Sequence, residues 1–193
     1  MTKVSKHDKL KLMALTWLSN KVTGKGLRGT TEVRLAKGYV ADAVALCSLQ
    51  SRFFEQYTGR YPACSRPNNL NYFACIFEAK AGRNDFLSTF NDNDKHQNRH
   101  KPVGNLHWCV APRGLVDPEE LPEFWGLLEC SGSGLRERKG PTLNVLTESD
   151  LDAIAHKILW CIQARRRYFV CKKCGRYVTE AVCNRCATIR PRE

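Results

Sequence analysis

The chain has 193 residues, of which 42% are hydrophobic, and it carries a formal net charge of +12 at neutral pH. This length and composition allow a substantial hydrophobic core and exclude an intrinsically disordered chain. The apolar stretch 10–18 is too short to span a membrane, is interrupted by Lys11 and Thr16, and lacks a small-residue cleavage site. We therefore expect a cytoplasmic protein that does not associate with membranes.

The positive charge is concentrated at the two ends of the chain. Residues 1–30 hold seven Lys and Arg against one acidic residue, and residues 163–193 hold nine against two, whereas residues 31–162 hold fifteen against sixteen. Basic segments of this kind indicate a polyanionic partner, most often nucleic acid, although solvated surface charge is the simpler alternative. We expect DNA as the partner. The sequence leaves open RNA as the target, and it leaves open a homo-oligomer.

Hydrophobic periodicity predicts a mixed order of helices and strands. Apolar residues at helical spacing predict a helix over 5–23, and strands are predicted over 31–35, 39–47, 72–79, 106–111, 124–130 and 135–139. A second helix is predicted over 84–90, with polar loops over 48–70 and 91–101. Thr147 and Asp150 form a capping-box pattern that opens a final amphipathic helix.

Two of the predicted buried strands each contain a carboxylate. Asp42 lies in the apolar run 39–46, and Glu78 lies in the apolar run 72–79, followed two residues later by Lys80. A buried carboxylate is costly unless something binds it, and the period of two places Glu78 and Lys80 on the same face. Two acids and a lysine on one face indicate a divalent-metal site for phosphodiester hydrolysis. A structural ion pair at a strand end is the alternative.

The residues around these acids resemble a known nuclease family. The segments are Glu32-Val-Arg-Leu, Val-Ala-Asp42-Ala-Val-Ala-Leu, Phe-Glu78-Ala-Lys80-Ala-Gly-Arg-Asn-Asp-Phe-Leu and Trp-Cys-Val-Ala-Pro112. Together they resemble the PD-(D/E)xK nuclease superfamily and are most similar to its MmcB-like DNA-repair members, over residues 30–130. Two departures are the insertion at 48–70 and Ala41 in place of the proline of the motif. A second Glu-x-Lys, Glu137-Arg-Lys139, follows a Gly-rich turn and lacks the preceding buried strand.

The resemblance implies a restriction-endonuclease-like α/β (α+β) fold with a mixed sheet flanked by helices. It implies that Asp42, Glu78 and the main-chain carbonyl of Ala79 bind Mg²⁺ or Mn²⁺, and that Lys80 orients the nucleophile or offsets charge on the reacting phosphate. Glu32, on the neighbouring strand, is either an additional ligand or an ordinary solvent-facing residue.

The insertion and the following polar loop add candidate nucleic-acid contacts. The insertion interleaves Arg52, Arg60 and Arg66 with Phe53, Phe54, Tyr57 and Tyr61, a composition that suits base stacking or packing of the aromatic rings on the core. Basic and polar residues after the motif are expected near phosphates: Arg83, Asn84, Lys95, His96, Gln97, Arg99, His100 and Lys101.

The second strong motif is a set of four cysteines near the C-terminus. The spacing Cys171-x₂-Cys174-x₈-Cys183-x₂-Cys186 predicts one tetrahedral, structural Zn²⁺ site. Metal would supply the folding energy that so short a segment lacks. The other cysteines are expected to be small buried apolar residues in a reducing compartment: Cys47, Cys64, Cys75, Cys109, Cys130 and Cys161. Cations around the motif are candidate DNA contacts: Arg165, Arg166, Arg167, Lys172, Lys173 and Arg176. The three arginines also suit the end of the preceding helix.

These observations predict a nuclease-like core over 1–146, an amphipathic helix over 147–167 and a zinc ribbon over 168–193. The predicted activity is Mg²⁺- or Mn²⁺-dependent hydrolysis of DNA, as in DNA repair, recombination, defence or the processing of phage DNA. A non-catalytic nucleic-acid-binding protein with the same fold is the alternative.

Overall fold

Six strands form one mixed β-sheet in the computed structural model of the chain. The structure describes residues 5–22, 28–35, 39–48, 53, 55–58, 72–90, 103–132 and 134–164, and four two-residue strands between 169 and 189. The sheet strands, which lie side by side in chain order, are β1 (Arg28–Arg34), β2 (Val40–Ser48), β3 (Tyr72–Ala79), β4 (Leu106–Pro112), β5 (Trp125–Ser131) and β6 (Gly134–Lys139). Pairing is antiparallel from β1 to β3, parallel from β3 to β5, and antiparallel between β5 and β6.

Helices cover both faces of this sheet. They are α1 (Lys6–Lys21), α2 (Glu55–Thr58), α3 (Arg83–Phe90) and α4 (Glu148–Ala164), with a 3₁₀ turn at Pro118–Glu120. On one face, Leu10, Ala14 and Trp17 of α1 pack in a cluster with apolar residues of β2, β3 and β4. On the other face, Leu151, Ile154 and Ile158 of α4 pack against β1, β2 and β3. The predicted mixed sheet with flanking helices is therefore confirmed.

Local sequence signals account for where most of these elements begin. The Ser5 side chain accepts a hydrogen bond from the Asp8 N–H at 3.0 Å and caps α1. Thr147 caps α4 in the same way, accepting from the Asp150 N–H at 3.2 Å. The predicted strand 72–79 agrees with β3, whereas β1 begins three residues before the predicted strand 31–35.

The described part of the insertion packs on the core. The Phe53 ring meets the Trp17 ring edge-to-face at 5.5 Å between centroids, and the Tyr57 ring meets Trp108 at 5.9 Å. Edge-to-face contacts of this kind stabilise a core cluster. For these two rings the packing interpretation is the one the structure supports, rather than base stacking. Phe54, Tyr61 and the three arginines of the insertion lie outside the described residues.

Three of the scattered cysteines are buried, as predicted. Cys47, Cys75 and Cys109 are completely inaccessible and free, and the sulfur atoms of Cys47 and Cys75 lie 4.0 Å apart. Burial raises the pKa of Cys109 to about 12 and raises that of Cys75 as well, so both remain protonated and inert. Cys130 and Cys161 are half-buried, and Cys64 lies outside the described residues.

A buried polar network ties β4 to the segment before α4. Asn105 donates through Nδ2 to the Asn144 carbonyl at 2.9 Å, and its Oδ1 accepts from the Ala74 N–H at the same distance. The ring of His107, which is fully buried, accepts through Nε2 from the Val103 N–H at 3.3 Å. Burial disfavours the imidazolium and lowers the pKa of His107 to about 3.

Acid is therefore expected to destabilise the fold through His107. Below about pH 6.5 the unfolded chain binds a proton at this residue, whereas the folded chain does not until about pH 3. Within that window this residue should lower the free energy of unfolding by up to about 1.4 kcal/mol per pH unit, and above it the contribution vanishes. Urea unfolding across the window measures the slope. His107→Gln should reduce it, whereas the same change at exposed His156 should not. An unchanged slope in His107→Gln would contradict this assignment.

Candidate active site

The sheet register brings the three predicted acidic residues to neighbouring positions on three strands. The β1–β2 pairing places Glu32 opposite Asp42, and continuation of the β2–β3 register places Asp42 beside Glu78. Glu32 has a left-handed backbone, with φ of 53°, so the ladder is interrupted at this position. A non-glycine residue in this conformation costs of order 1–3 kcal/mol, and such strain is concentrated at functional sites.

The Asp42 carboxylate is held from two sides. Its Oδ2 accepts a hydrogen bond from the Ala79 N–H at 2.8 Å and lies 3.2 Å from Nε2 of His7. Its Oδ1 lies 3.8 Å from the ammonium of Lys11. Asp42 therefore joins the end of β3 to helix α1, with only 16% of its side chain exposed.

His7, which the sequence analysis did not select, lies at the centre of this arrangement. Its Nε2 is 2.9 Å from the carbonyl oxygen of Ala79 and 3.2 Å from Oδ2 of Asp42. These two oxygens are both predicted metal ligands, and one ring nitrogen reaches both. The sequence signal was weak because a single histidine on the first turn of a helix has no motif around it.

Lys80 lies on the same side of the sheet end as Glu78, as the strand period predicted. Its ammonium is 3.7 Å from Oε2 of Glu78, and both side chains are more than nine-tenths buried. Two residues of α3 complete its surroundings: Nζ donates to Oγ1 of Thr89 at 2.7 Å and lies 3.7 Å from Oδ1 of Asp85. Tyr39 donates a hydrogen bond to Oε1 of Glu78. Thr89, Asp85 and Tyr39 are further site residues that the sequence analysis missed.

Lys11 is a second buried lysine at this site, on α1. Its ammonium donates to Oε1 of Glu32 at 2.7 Å and to Oδ1 of Asp8 at 3.4 Å, in addition to its contact with Asp42. Burial alone would lower the pKa of Lys11, but the hydrogen bond that its ammonium donates to Glu32 and the charges of Asp42 and Glu32 outweigh burial and raise the pKa. Lys11 is therefore a fixed positive charge.

The donor chemistry at the end of β3 fits a hard divalent cation. Within the described ranges, no three His, Cys, Asp or Glu side chains are arranged as a preformed metal-binding group. Main-chain carbonyl oxygens can also bind a metal. The groups that lie together here are the Asp42 carboxylate, the Ala79 carbonyl and the His7 ring. The carboxylate and carbonyl oxygens suit Mg²⁺ and Mn²⁺.

The second Glu-x-Lys motif has a structural role in β6. Glu137 accepts a hydrogen bond from the hydroxyl of Tyr57 at 2.8 Å. Lys139 donates to main-chain carbonyls around the 3₁₀ turn, those of Pro118, Leu121 and Pro122. The expectation that no buried strand precedes this motif was wrong, because the buried strand β5 directly precedes β6 and pairs with it.

Arg83, a predicted nucleic-acid contact, is engaged in an ion pair with Glu120. Two guanidinium nitrogens donate to the Glu120 carboxylate, and one also donates to the Leu115 carbonyl at 3.2 Å. The hydrogen bond from Arg83 lowers the pKa of Glu120 to about 2. This pairing connects α3 to the 3₁₀ turn and neutralises the arginine locally. Asn84, another predicted contact, is exposed on α3. The remaining predicted contacts lie outside the described residues: Lys95, His96, Gln97, Arg99, His100, Lys101, Arg165, Arg166, Arg167, Lys172, Lys173 and Arg176.

Four two-residue strands near the four C-terminal cysteines form two antiparallel pairs. β7 (Phe169–Val170) pairs with β8 (Tyr177–Val178), and β9 (Val182–Cys183) pairs with β10 (Thr188–Ile189). In the sequence, the first Cys-x-x-Cys falls between β7 and β8, and the second begins at the last residue of β9. Cys171, Cys174 and Cys186 themselves lie outside the described residues, so the zinc site remains a prediction.

Comparisons with known proteins add information about the fold alone. No protein-family model and no curated protein matches the chain. Among solved structures, the chain is similar to the SPO1766 protein of unknown function from Silicibacter pomeroyi, with a TM-score of 0.60 and 14% identity. The match covers 86% of this chain and 92% of the other, so the architecture recurs in a distant protein. Among the described residues, no helix is long and apolar enough to cross a membrane.

If the four cysteines bind zinc, elemental analysis of the purified protein should find one zinc ion per chain. Cys174→Ser should lose the metal, because three thiolates cannot close the tetrahedral site, and should leave the core folded by circular dichroism. Cys161→Ser, on helix α4, is the matched control and should retain zinc. Zinc-free protein after anaerobic purification, or a native disulfide among these thiols, would contradict the assignment.

Proposed function

We propose that the chain is a divalent-metal-dependent endonuclease that hydrolyses DNA phosphodiester bonds. The observation that carries this proposal is the convergence of Asp42 Oδ2 and the Ala79 carbonyl on one donor, next to the buried Glu78 and Lys80. Two oxygens directed at one point, with a lysine on the adjacent strand position, are the elements that a metal-assisted phosphodiesterase requires.

Asp42, Glu78 and the Ala79 carbonyl would hold the cation, beside the point where the Nε2–H of His7 contacts two of these oxygens. When bound, the cation supplies Lewis-acid polarisation of the phosphate and lowers the pKa of a bound water. The chain's own residues supply the rest. Lys80 is fixed by Thr89, so its ammonium is positioned to stabilise negative charge on the reacting phosphate.

Substrate binding is assigned to the basic ends of the chain. The central segment 31–162 is close to neutral, and Arg83 within it is already paired with Glu120. Attraction to phosphates is therefore expected to come mainly from residues 1–30 and 163–193. This arrangement favours contacts with the DNA backbone over reading of the base sequence.

A non-catalytic nucleic-acid-binding protein is the second candidate, and one observation favours it. The side chains of Asp42 and Glu78 both have internal partners: His7 and Lys11 for the first, Tyr39 and Lys80 for the second. Such pairs would stabilise the fold without a metal. A cleavage assay on single-stranded, duplex and branched DNA with Mg²⁺, Mn²⁺ or EDTA distinguishes the two candidates. Only the nuclease should cut DNA, and EDTA should abolish the cutting.

Glu78→Gln and Lys80→Met should each lower metal-dependent cleavage by roughly 100-fold or more while leaving DNA affinity largely unchanged. The reason is that these residues act on the reacting phosphate or its metal, and single electrostatic contacts of this kind contribute about that factor. Initial rates on a labelled duplex, with affinity measured separately in Ca²⁺, provide the comparison.

The second Glu-x-Lys motif offers an internal control for this experiment. Glu137→Gln retains an acceptor for the Tyr57 hydroxyl and lies in β6, so cleavage should stay near the wild-type rate. Full activity in Glu78→Gln, or equal losses of activity in Glu78→Gln and Glu137→Gln, would contradict the proposal that this site catalyses DNA cleavage.

DNA affinity should fall steeply with salt concentration because binding releases counterions from several phosphates. Replacing Arg165, Arg166 and Arg167 by Ala should weaken binding to all sequences and flatten the plot of log affinity against log salt by roughly 0.9 per lost phosphate contact. Deleting residues 168–193 should flatten it further. Equal slopes for the wild type and the deletion would show that the C-terminal segment does not contact phosphate, and would indicate a role toward a protein partner.

A further inference from the structure

The position of Lys11 bears on how many cations the candidate site can take. Its side chain is only 6% exposed, and its ammonium is directed at three carboxylates, those of Glu32, Asp8 and Asp42, at 2.7, 3.4 and 3.8 Å. A buried ammonium among three carboxylates is a cation that the chain itself supplies. It cannot dissociate, because α1 is anchored in the core through Leu10, Ala14 and Trp17.

The two oxygens of Asp42 face two different sets of partners. Oδ2 is directed at the Ala79 N–H and the His7 ring, next to the Ala79 carbonyl, and Oδ1 is directed at Lys11. In two-metal phosphodiesterases, two cations lie about 3.5–4 Å apart on either side of the reacting phosphate. A carboxylate shared by such a pair would direct one oxygen at each cation. In this chain, the second oxygen already meets an ammonium.

We infer that the candidate site takes a single divalent cation, and that the Lys11 ammonium occupies the place of a second one. This inference rests on the proposed function, since it concerns the same site. Lys11 offsets the charges of Glu32 and Asp42 that a second metal would otherwise neutralise. Its ammonium also donates a hydrogen bond to the Glu32 carboxylate at 2.7 Å.

The first test counts Mn²⁺ ions in the full chain by isothermal titration calorimetry and electron paramagnetic resonance, with zinc determined separately. Wild-type protein should bind one Mn²⁺, with the spectrum of an isolated ion, and Asp42→Asn should lose it. Two spin-coupled Mn²⁺ ions that both require Asp42 would overturn the inference and leave the proposed function intact. Absence of any Asp42-dependent Mn²⁺ would remove the proposed metal site, and the inference with it.

The second test removes the ammonium. Lys11→Ala opens the space between Glu32 and Asp42, and it should raise the count to two Mn²⁺ ions per chain, with spin coupling between them. Lys9→Ala, an exposed lysine on the same helix, is the matched control and should still bind one. A Lys11→Ala protein that is folded by circular dichroism and still binds one ion would overturn the inference. If that variant does not fold, the wild-type count and spectrum decide.

Discussion

Burial of charge at the end of β3 is the constraint that organises this protein. Glu78 and Lys80 are almost completely enclosed, and Asp42 is largely so. A buried charge without a partner would cost several kcal/mol, so each of these groups requires an opposite charge or a hydrogen bond. Those partners come from elements far apart in sequence: α1, the start of β2 and α3. Because these charges must be satisfied together, the site forms only when all of these elements are in place.

Helix α1 has two functions that depend on each other. Its Trp17 packs on Trp108 in the middle of the sheet, at 5.6 Å between ring centroids, while His7 and Lys11 near its start reach the acidic residues. This packing fixes the position of α1 along the sheet. It therefore also fixes the positions of His7 and Lys11. The aromatic rings of Phe53 and Tyr57 add to the same cluster.

The sequence predicted the secondary structure well because the local signals were strong. Apolar runs bounded by turn residues defined β2 to β5, and Ser5 and Thr147 marked helix starts with side-chain caps. Asp42, Glu78 and Lys80 could be selected because a charge within an apolar strand is conspicuous. His7, Tyr39 and Thr89 could not be selected, because their proximity to those residues depends on the register and packing of separate elements. The second Glu-x-Lys motif shows the same limit, because the sequence did not reveal that the buried strand β5 precedes Glu137.

The irregular backbone at Glu32 has a consequence for association between molecules. β1 and β6 are the two outer strands of the sheet, and an outer strand with a regular run of free main-chain groups invites pairing with another chain. In β1, the left-handed residue breaks that run. In β6, the sequence Gly134-Leu-Arg-Glu-Arg-Lys139 places charged side chains along most of the strand. Both outer strands are therefore poor templates for intermolecular β-pairing, which is a known route to aggregation of sheet proteins.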